Sequence, residues 1–418
     1  MAEGLRREIG LFGAVAYGVG TILGAGIYAL IGVSTGKAGN AVWLAFAIAA
    51  GIALFSGLSY AKLSSIFPSS GAEYVYVKES FGSRFWAFIV GWLVLISSII
   101  SGAAVALGFG GYLFALIDVP VAVGASALII VMSMVNYLGI KESLTLNVIL
   151  TLIELAGVVI VIFMGVGFLG TVDYLHMPNG LSGVIGAVGI IFFAFIGFEG
   201  LVKIGDETKD ATRTIPRALI LSLVITAVIY VLVAISVVSI VPYQDLAAST
   251  SPLSDVALVA SGEGASLLLT AIAMIATANT VLIILIASSR IAFGMSVRDA
   301  LPDILSQVNP RRGTPPAAIA ITMAASLLFC FIGGIELTAN VANFTIFLVF
   351  LAVNLSVIQF SRKGRNMGRG YVLSAVVGSI TSLAMLTQFS WEVALLSAVM
   401  TLAGAGVFKL SEVRPALS

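Results

Sequence analysis

The chain has 418 residues, of which 60% are hydrophobic and only 10% are charged, and its formal net charge is +1. Soluble domains carry about 25% charged residues, so this composition, with a mean hydropathy of +1.13, excludes a water-soluble fold. Apolar runs long enough to cross a ~30 Å hydrocarbon core recur along the chain without the alternation of barrel strands, which predicts an all-α integral membrane protein in a lipid bilayer.

Twelve transmembrane helices are predicted from these apolar runs. We expect the first of them to stay in the membrane rather than to be removed as a signal peptide. The predicted spans, in chain order, are about 9–35, 41–66, 85–114, 119–138, 145–169, 182–206, 216–241, 265–295, 315–333, 340–360, 370–390 and 391–410.

The distribution of lysine and arginine predicts the orientation of these helices. With both termini in the cytoplasm, every lysine and arginine except Lys37 falls on the cytoplasmic side, as the positive-inside rule requires. Omitting one span would scatter the later basic residues onto both sides. We therefore predict a multi-pass protein of an inner or plasma membrane, whose basic residues reflect topology rather than nucleic-acid binding.

Two of the predicted spans contain sequences that break a helix. Gly24-Ala25-Gly26 lies in the first span, and Ala194-Phe195-Ile196-Gly197-Phe198-Glu199 lies in the sixth. Because these spans are five helices apart, they run in opposite directions, as in two inverted five-helix repeats. The repeats would cover 9–169 and 182–360, and 370–410 would form two accessory helices.

Unwinding at these breaks creates two ends that complement a zwitterion. The outer half of the first span would begin near Ile27 with free N–H groups, which suit a carboxylate. Carbonyls of Ile22 and of Ala194 to Ile196 would be free at the opposite ends, and they suit an ammonium group. The alternative for Gly24 and Gly26 is close packing between helices, but the matching break in the sixth span favours an amino acid site.

An acidic residue lies in the middle of the fifth span. Glu154 shares a helical face with Asn147 and Thr151. A carboxylate at this depth costs at least ~2.5–3.5 kcal/mol unless it is protonated, paired or solvated, which makes Glu154 a candidate for proton or ion coupling. The alternative is a neutral carboxyl group that is hydrogen-bonded between helices.

Further polar residues accompany the two breaks. Glu199 begins the inner half of the sixth span, where it could cap the helix, with Lys203 at i+4 as a partner. Thr277, Asn279 and Thr280 form a polar island in the eighth span. This island could complete an ion site with the first-span carbonyls, or it could form hydrogen bonds between helices.

Aromatic residues surround the second break. Phe193, Phe195 and Phe198 could line an apolar side-chain pocket, although such residues also serve as plain packing in membrane helices. Phe193 is the strongest candidate for the pocket.

Other functions find no support in the sequence. The single cysteine, Cys330, and the single histidine, His176, provide neither a metal site nor a catalytic pair. The sequence contains no Walker A or HExxH motif, so we expect no cofactor and no enzymatic activity.

A set of short motifs follows in order along nearly the whole chain; each is weak alone, but their order and spacing are specific. They are TILGAGIY (21–28), PSSGAEYVY (68–76), FGSRFWAF (81–88), NYLGIK (136–141), the stretch from Phe192 through GFE (197–199) to DETK (206–209) and IPR (215–217), SR (289–290) and TPP (314–316). With these motifs the chain resembles the amino acid/polyamine/organocation (APC) superfamily of transporters, which has the LeuT-type inverted-repeat fold.

The resemblance implies a mechanism and a set of substrate contacts. The two repeats would rock around a central site in alternating access, with Phe193 moving as a gate. The substrate carboxylate would meet the backbone amides of Ala25 and Gly26, and its ammonium group would meet the carbonyls of Ile22, Phe193 and Ile196.

The resemblance also bears on coupling, because some relatives carry a lysine on helix five whose protonation is thought to substitute for a sodium ion. The matching position here is Glu154, which predicts H⁺ as the coupling ion, with Na⁺ as the alternative. Only Glu199 is a further acidic residue near the site, so we predict a symporter of small or apolar neutral amino acids. Alternatives are an exchanger of amino acids or amines, a channel and, least favoured, an intramembrane enzyme.

Overall fold

A computed structural model describes residues 9–24, 26–67, 72–139, 144–297 and 300–413. Within these ranges the chain is all-helical apart from a single bridge between Ile9 and Thr208, which confirms the predicted fold class. The α-helices are α1 (Leu11–Leu23), α2 (Gly26–Ala38), α3 (Val42–Ile66), α4 (Ala72–Phe81), α5 (Arg84–Ile117), α6 (Val121–Leu138), α7 (Leu144–Val166), α8 (Gly180–Ile191), α9 (Ala211–Ile240), α10 (Tyr243–Ala248), α11 (Pro252–Ser261), α12 (Glu263–Ser296), α13 (Pro316–Ile332), α14 (Ile335–Arg362), α15 (Arg369–Leu386) and α16 (Trp391–Val413).

Length and hydropathy confirm the prediction of a multi-pass membrane protein. Among the described residues, ten helical segments are long and apolar enough to cross a membrane, and α1, α11 and α13 are shorter apolar helices. Each predicted span coincides with one helix or with a pair of half-helices, and the span 315–333 corresponds to the shorter helix α13. The unpredicted helices α4, α10 and α11 have only 6 to 10 residues, which is too short for a membrane-crossing run to reveal them.

The centre of the bundle is built on α5 and α3. Helix α5 packs along α6, α12 and α14, and α3 packs along α9. In the most apolar stretch of α5, 78% of the residues are buried inside the protein, compared with 17% in the corresponding stretch of α16. Helix α16 therefore lies at the periphery of the bundle. The division of the chain into two inverted repeats stays a prediction.

The first predicted span is interrupted in the middle of the bundle. Helix α1 ends at Leu23, and Gly24 has φ −38° and ψ −161°, which is not helical. Helix α2 then begins at Gly26. The predicted break is therefore present, although Ala25 itself lies outside the described residues.

The sixth predicted span is interrupted as well, with a different geometry. Helix α8 passes into a 3-10 turn over Phe192–Phe195, after which Ile196 is extended and Gly197 has φ +123°. Side chains rarely tolerate that backbone conformation, so the position requires glycine. A second 3-10 helix of 10 residues, Phe198–Glu207, continues the span beyond the break.

Candidate functional site

The two breaks touch each other at the centre of the bundle. A Cβ atom built on Gly26 would lie only 2.6 Å from the Cα atom of Ala194. A Cβ atom on Gly197 would overlap the carbonyl oxygen of Thr21. Each break thus presses glycine against backbone of the other, and only residues without a side chain permit this approach.

The amide end predicted to bind a carboxylate lies at this contact. In any α-helix the first N–H groups have no partner within the helix and carry a partial positive charge of about half an elementary charge. In α2 these groups belong to Gly26, Ile27 and Tyr28, all three buried. The first amides of α2 therefore lie where the two breaks meet.

The carbonyl end has a partner that was missed in the sequence. The hydroxyl group of Tyr230 on α9 donates to the carbonyl oxygen of Ile22 at 2.7 Å and to that of Ala194 at 3.1 Å. A third predicted carbonyl, that of Phe193, accepts from the N–H group of Ile196 at 3.2 Å. Each carbonyl oxygen has two lone pairs, so each keeps acceptor capacity for an ammonium group.

Tyr230 gave one signal that could have identified it. It is a tyrosine in the middle of an apolar span, and it is fully buried in the structure. A buried tyrosine hydroxyl usually finds a hydrogen-bond partner. The sequence could not reveal that the partners are backbone carbonyls at both breaks.

Glu154 is held beside the broken first span. Its side chain is 1% exposed, and its carboxyl Oε1 accepts from the Nδ2 atom of Asn279 at 3.3 Å. Its backbone carbonyl accepts from the hydroxyl group of Tyr28 at 2.6 Å, and the backbone carbonyl of Tyr28 accepts from Tyr112 at 2.9 Å. The carboxyl group thus connects α7 to α12, and its backbone connects α7 to α2.

The three polar residues of the eighth span face different neighbours. Asn279 contacts Glu154 as described, whereas Thr277 donates to the carbonyl of Ala273 within its own helix at 2.7 Å. Thr280 faces the first break, because a Cβ atom on Gly24 would lie 3.0 Å from its Oγ1 atom. Asn279 therefore faces Glu154 and Thr280 faces the first break, from adjacent positions about 100° apart on one helix.

A second polar residue of α7 also faces the first span. A Cβ atom on Gly20 would lie 2.6 Å from the Oγ1 atom of Thr151, which shares the face of Glu154. The side chain of Asn147 lies outside the described residues.

Glu199 acts on the backbone of the second break. Its Oε2 atom accepts from the N–H group of Gly197 at 2.9 Å, and its side chain is 8% exposed. This contact satisfies a donor that the interrupted helix leaves free, which is a capping role. The side chain of its predicted partner, Lys203, lies outside the described residues.

The aromatic residues of the second break occupy two environments. Phe195 packs edge-on against Tyr230, and Phe198 packs against Tyr60 and Phe350, so these two stabilise the bundle. Phe193, 6% exposed, belongs instead to a separate apolar cluster. Buried members of that cluster include Leu30, Ile100, Ala103, Ala104, Val281, Leu285 and Ala342.

Within the described part of the chain, no three His, Cys, Asp or Glu side chains come close enough together to hold a metal ion.

Comparison with known proteins shows which sequences this chain resembles. The family model for amino acid permeases matches residues 9–411. A branched-chain amino acid permease of Bacillus subtilis is 29% identical over 391 residues, which cover 88% of this chain and 84% of the relative. A vacuolar cationic amino acid transporter of Arabidopsis thaliana is 32% identical over 386 residues, covering 85% and 63%. A methylthioribose transporter of Bacillus subtilis is 26% identical over 384 residues, covering 87% and 83%.

Proposed function

The chain belongs to the amino acid permease family, and from this we propose that it is a proton-coupled symporter of small or apolar neutral amino acids. It is a multi-pass membrane transporter and not an enzyme. The observation that carries the proposal is the contact between two broken helices at Gly26 and Ala194, which brings the first amides of one half-helix close to the last carbonyls of another. Such an arrangement matches the two charged ends of an amino acid.

The substrate backbone is recognised by the ends of the half-helices. Its carboxylate accepts from the N–H groups of Ala25, Gly26 and Ile27. Its ammonium group donates to the carbonyls of Ile22 and Ile196, alongside that of Phe193. Dipoles rather than full charges make these contacts, so they suit a zwitterion without a net charge.

The substrate side chain lies against the apolar cluster around Phe193. The buried apolar side chains of this cluster include Leu30, Ile100, Val281 and Leu285. A cationic side chain in such a wall would leave a charge unpaired, which is costly. The apolar lining therefore favours substrates like those named for the branched-chain relative over those of the cationic transporters.

Coupling is assigned to Glu154. A protonated carboxyl group can donate to a neighbouring acceptor, whereas an ionised one accepts only. The hydrogen bond from Asn279 links the carboxyl group to α12, and the bond from Tyr28 to the backbone carbonyl of the same residue links this part of α7 to α2. Loading and release of one proton thereby biases the position of the broken first span.

The transport cycle follows alternating access. The repeats 9–169 and 182–360 rock against each other, residues 370–410 stay accessory, and Phe193 opens and closes the path to the site. Both termini lie in the cytoplasm of a cell whose inner or plasma membrane holds the protein.

Uptake into proteoliposomes tests the proposal. A panel of radiolabelled amino acids is offered with an inward proton gradient and no sodium. Concentrative uptake of apolar neutral members that a protonophore abolishes is the expected result. Uptake that requires sodium would replace the coupling ion and favour an ion site at Thr280, while uptake only into vesicles preloaded with amino acid would indicate an exchanger. Passage that never exceeds equilibrium would indicate a channel and overturn the proposal.

A further inference from the structure

A polar cavity lies apart from the contact between the two breaks at Gly26 and Ala194, which we call the crossing. We name it the Lys37 cavity; its volume is about 580 Å³, within the range of small-molecule sites. Its lining includes Lys37, Gly189, Glu336, Asn340, Gln388, Phe389 and Ser390. Four parts of the chain therefore meet there, namely the end of α2, helix α8, the start of α14 and the turn between α15 and α16.

Opposite charges meet at this cavity. The Nζ atom of Lys37 lies 2.7 Å from the Oε1 atom of Glu336, and the two side chains are 41% and 42% exposed. Within the described residues, the other ion pair is a local one, between Arg213 and Asp210 on one helix turn. The pair from α2 to α14 thus stands out as a long-range pair in a chain with few charges.

The cavity is separated from the crossing by aromatic rings. Phe389, which lines the cavity, lies 6.2 Å from Phe347, and Phe347 lies 4.3 Å from Phe192 at the start of the second break, measured between ring centroids. Below the cavity, the amide of Asn343 donates to the carbonyl of Gly189 at 2.6 Å. These contacts close the direct route from the cavity to the crossing.

Neutral polar groups complement the charged pair. The Oδ1 atom of Asn340 is buried at the cavity without a hydrogen-bond partner. Gln388 and Ser390 are exposed and add an amide and a hydroxyl group. A buried acceptor that lacks a donor is costly unless a ligand or water supplies one.

We propose that the Lys37 cavity is a second amino acid site, which holds a zwitterion before it reaches the crossing. Lys37 binds the carboxylate, and Glu336 together with the Oδ1 atom of Asn340 binds the ammonium group. A half-exposed ion pair gains little from its own attraction. A zwitterion can therefore separate the two residues and satisfy both of them. This inference rests on the proposed function, because it takes the same substrate class.

Cysteine protection tests the second site. Gln388→Cys places a thiol in the cavity, and Cys330, which is buried, gives the background in the unsubstituted protein. The rate of modification by a maleimide is measured on detergent-solubilised protein with and without L-leucine. At ten times the L-leucine concentration that half-saturates the cavity, we expect the thiol to be modified about tenfold more slowly, because only unoccupied protein reacts with the maleimide.

Three further variants in the Gln388→Cys background locate the protecting ligand. Gly26→Val blocks the crossing, and protection should persist in it. Lys37→Gln and Glu336→Gln should each abolish protection. Matched controls are Lys363→Gln, which removes an exposed lysine just beyond the other end of α14, and Glu263→Gln, which removes an exposed carboxylate on α12.

The outcomes separate this inference from the proposed function. Protection that disappears in Gly26→Val, or that survives both Lys37→Gln and Glu336→Gln, overturns the second site. Absent protection with leucine uptake intact also overturns it and leaves the proposed function standing. Protection without uptake by any panel member supports the second site and counts against the proposed function.

Discussion

The contact at Gly26 makes the sharpest test of the crossing. In Gly26→Ala, the new methyl group would lie 2.6 Å from the Cα atom and 3.0 Å from the Cβ atom of Ala194. Carbon atoms prefer a separation of about 3.5–4.0 Å, so the breaks would have to move apart by about 1 Å. Overpacking of this kind costs about 1–3 kcal/mol. If the whole cost falls on the conformation that binds substrate, the initial rate of uptake at low substrate concentration falls about 5- to 150-fold.

The assay is the initial rate of radiolabelled uptake at subsaturating substrate, with equal amounts of reconstituted protein. Gly51→Ala and Gly294→Ala are matched controls, because both glycines lie within helices and a Cβ atom on either meets no heavy atom within 4 Å. Both controls should transport at the wild-type rate or better, since alanine favours a helix over glycine. Equal rates for Gly26→Ala and the controls would refute the close contact between the two breaks.

Three further changes probe the site from different sides. Tyr230→Phe leaves two buried carbonyls without their donor, so the free energy of unfolding should fall by about 1–3 kcal/mol, measured by denaturant titration, with Tyr243→Phe as the control. Glu154→Gln should keep counterflow exchange but abolish uptake driven by a pH gradient, measured in vesicles with and without a protonophore; gradient-driven uptake that stays intact would remove the proton from this residue. Glu199→Ala should lower the free energy of unfolding by about 1–2 kcal/mol through loss of the cap on Gly197, whereas Glu199→Gln keeps an acceptor oxygen and should lose less; equal losses would assign the effect to charge instead.

The spans and their breaks were predictable because the bilayer constrains the sequence. A helix that crosses hydrocarbon needs about 20 apolar residues, and an interruption within it needs glycine or another breaker. Gly24, Gly26 and Gly197 satisfied that requirement, and each now lies at a break. The short helices α4, α10 and α11 escaped prediction, since neither length nor hydropathy separates them from loops.

Side-chain contacts were less predictable than helices. Thr277, Asn279 and Thr280 formed one polar island in sequence, yet successive helix positions turn by about 100°, so they face different neighbours. Tyr230 reaches the carbonyl of Ile22 across 208 positions of sequence. Only the packing of α9 against α1 creates that contact, and no local pattern records it.

The 3-10 helix Phe198–Glu207 has a mechanical consequence. Its 10 residues rise about 2.0 Å each, or about 20 Å in all, whereas the same residues in an α-helix would rise about 15 Å. Rewinding this segment would therefore shorten it by about 5 Å while its backbone groups merely exchange one helical partner for the next. An α-helical form of these residues would thus shorten this half of the sixth span by roughly one α-helical turn, a length change that a tilting rigid rod does not provide.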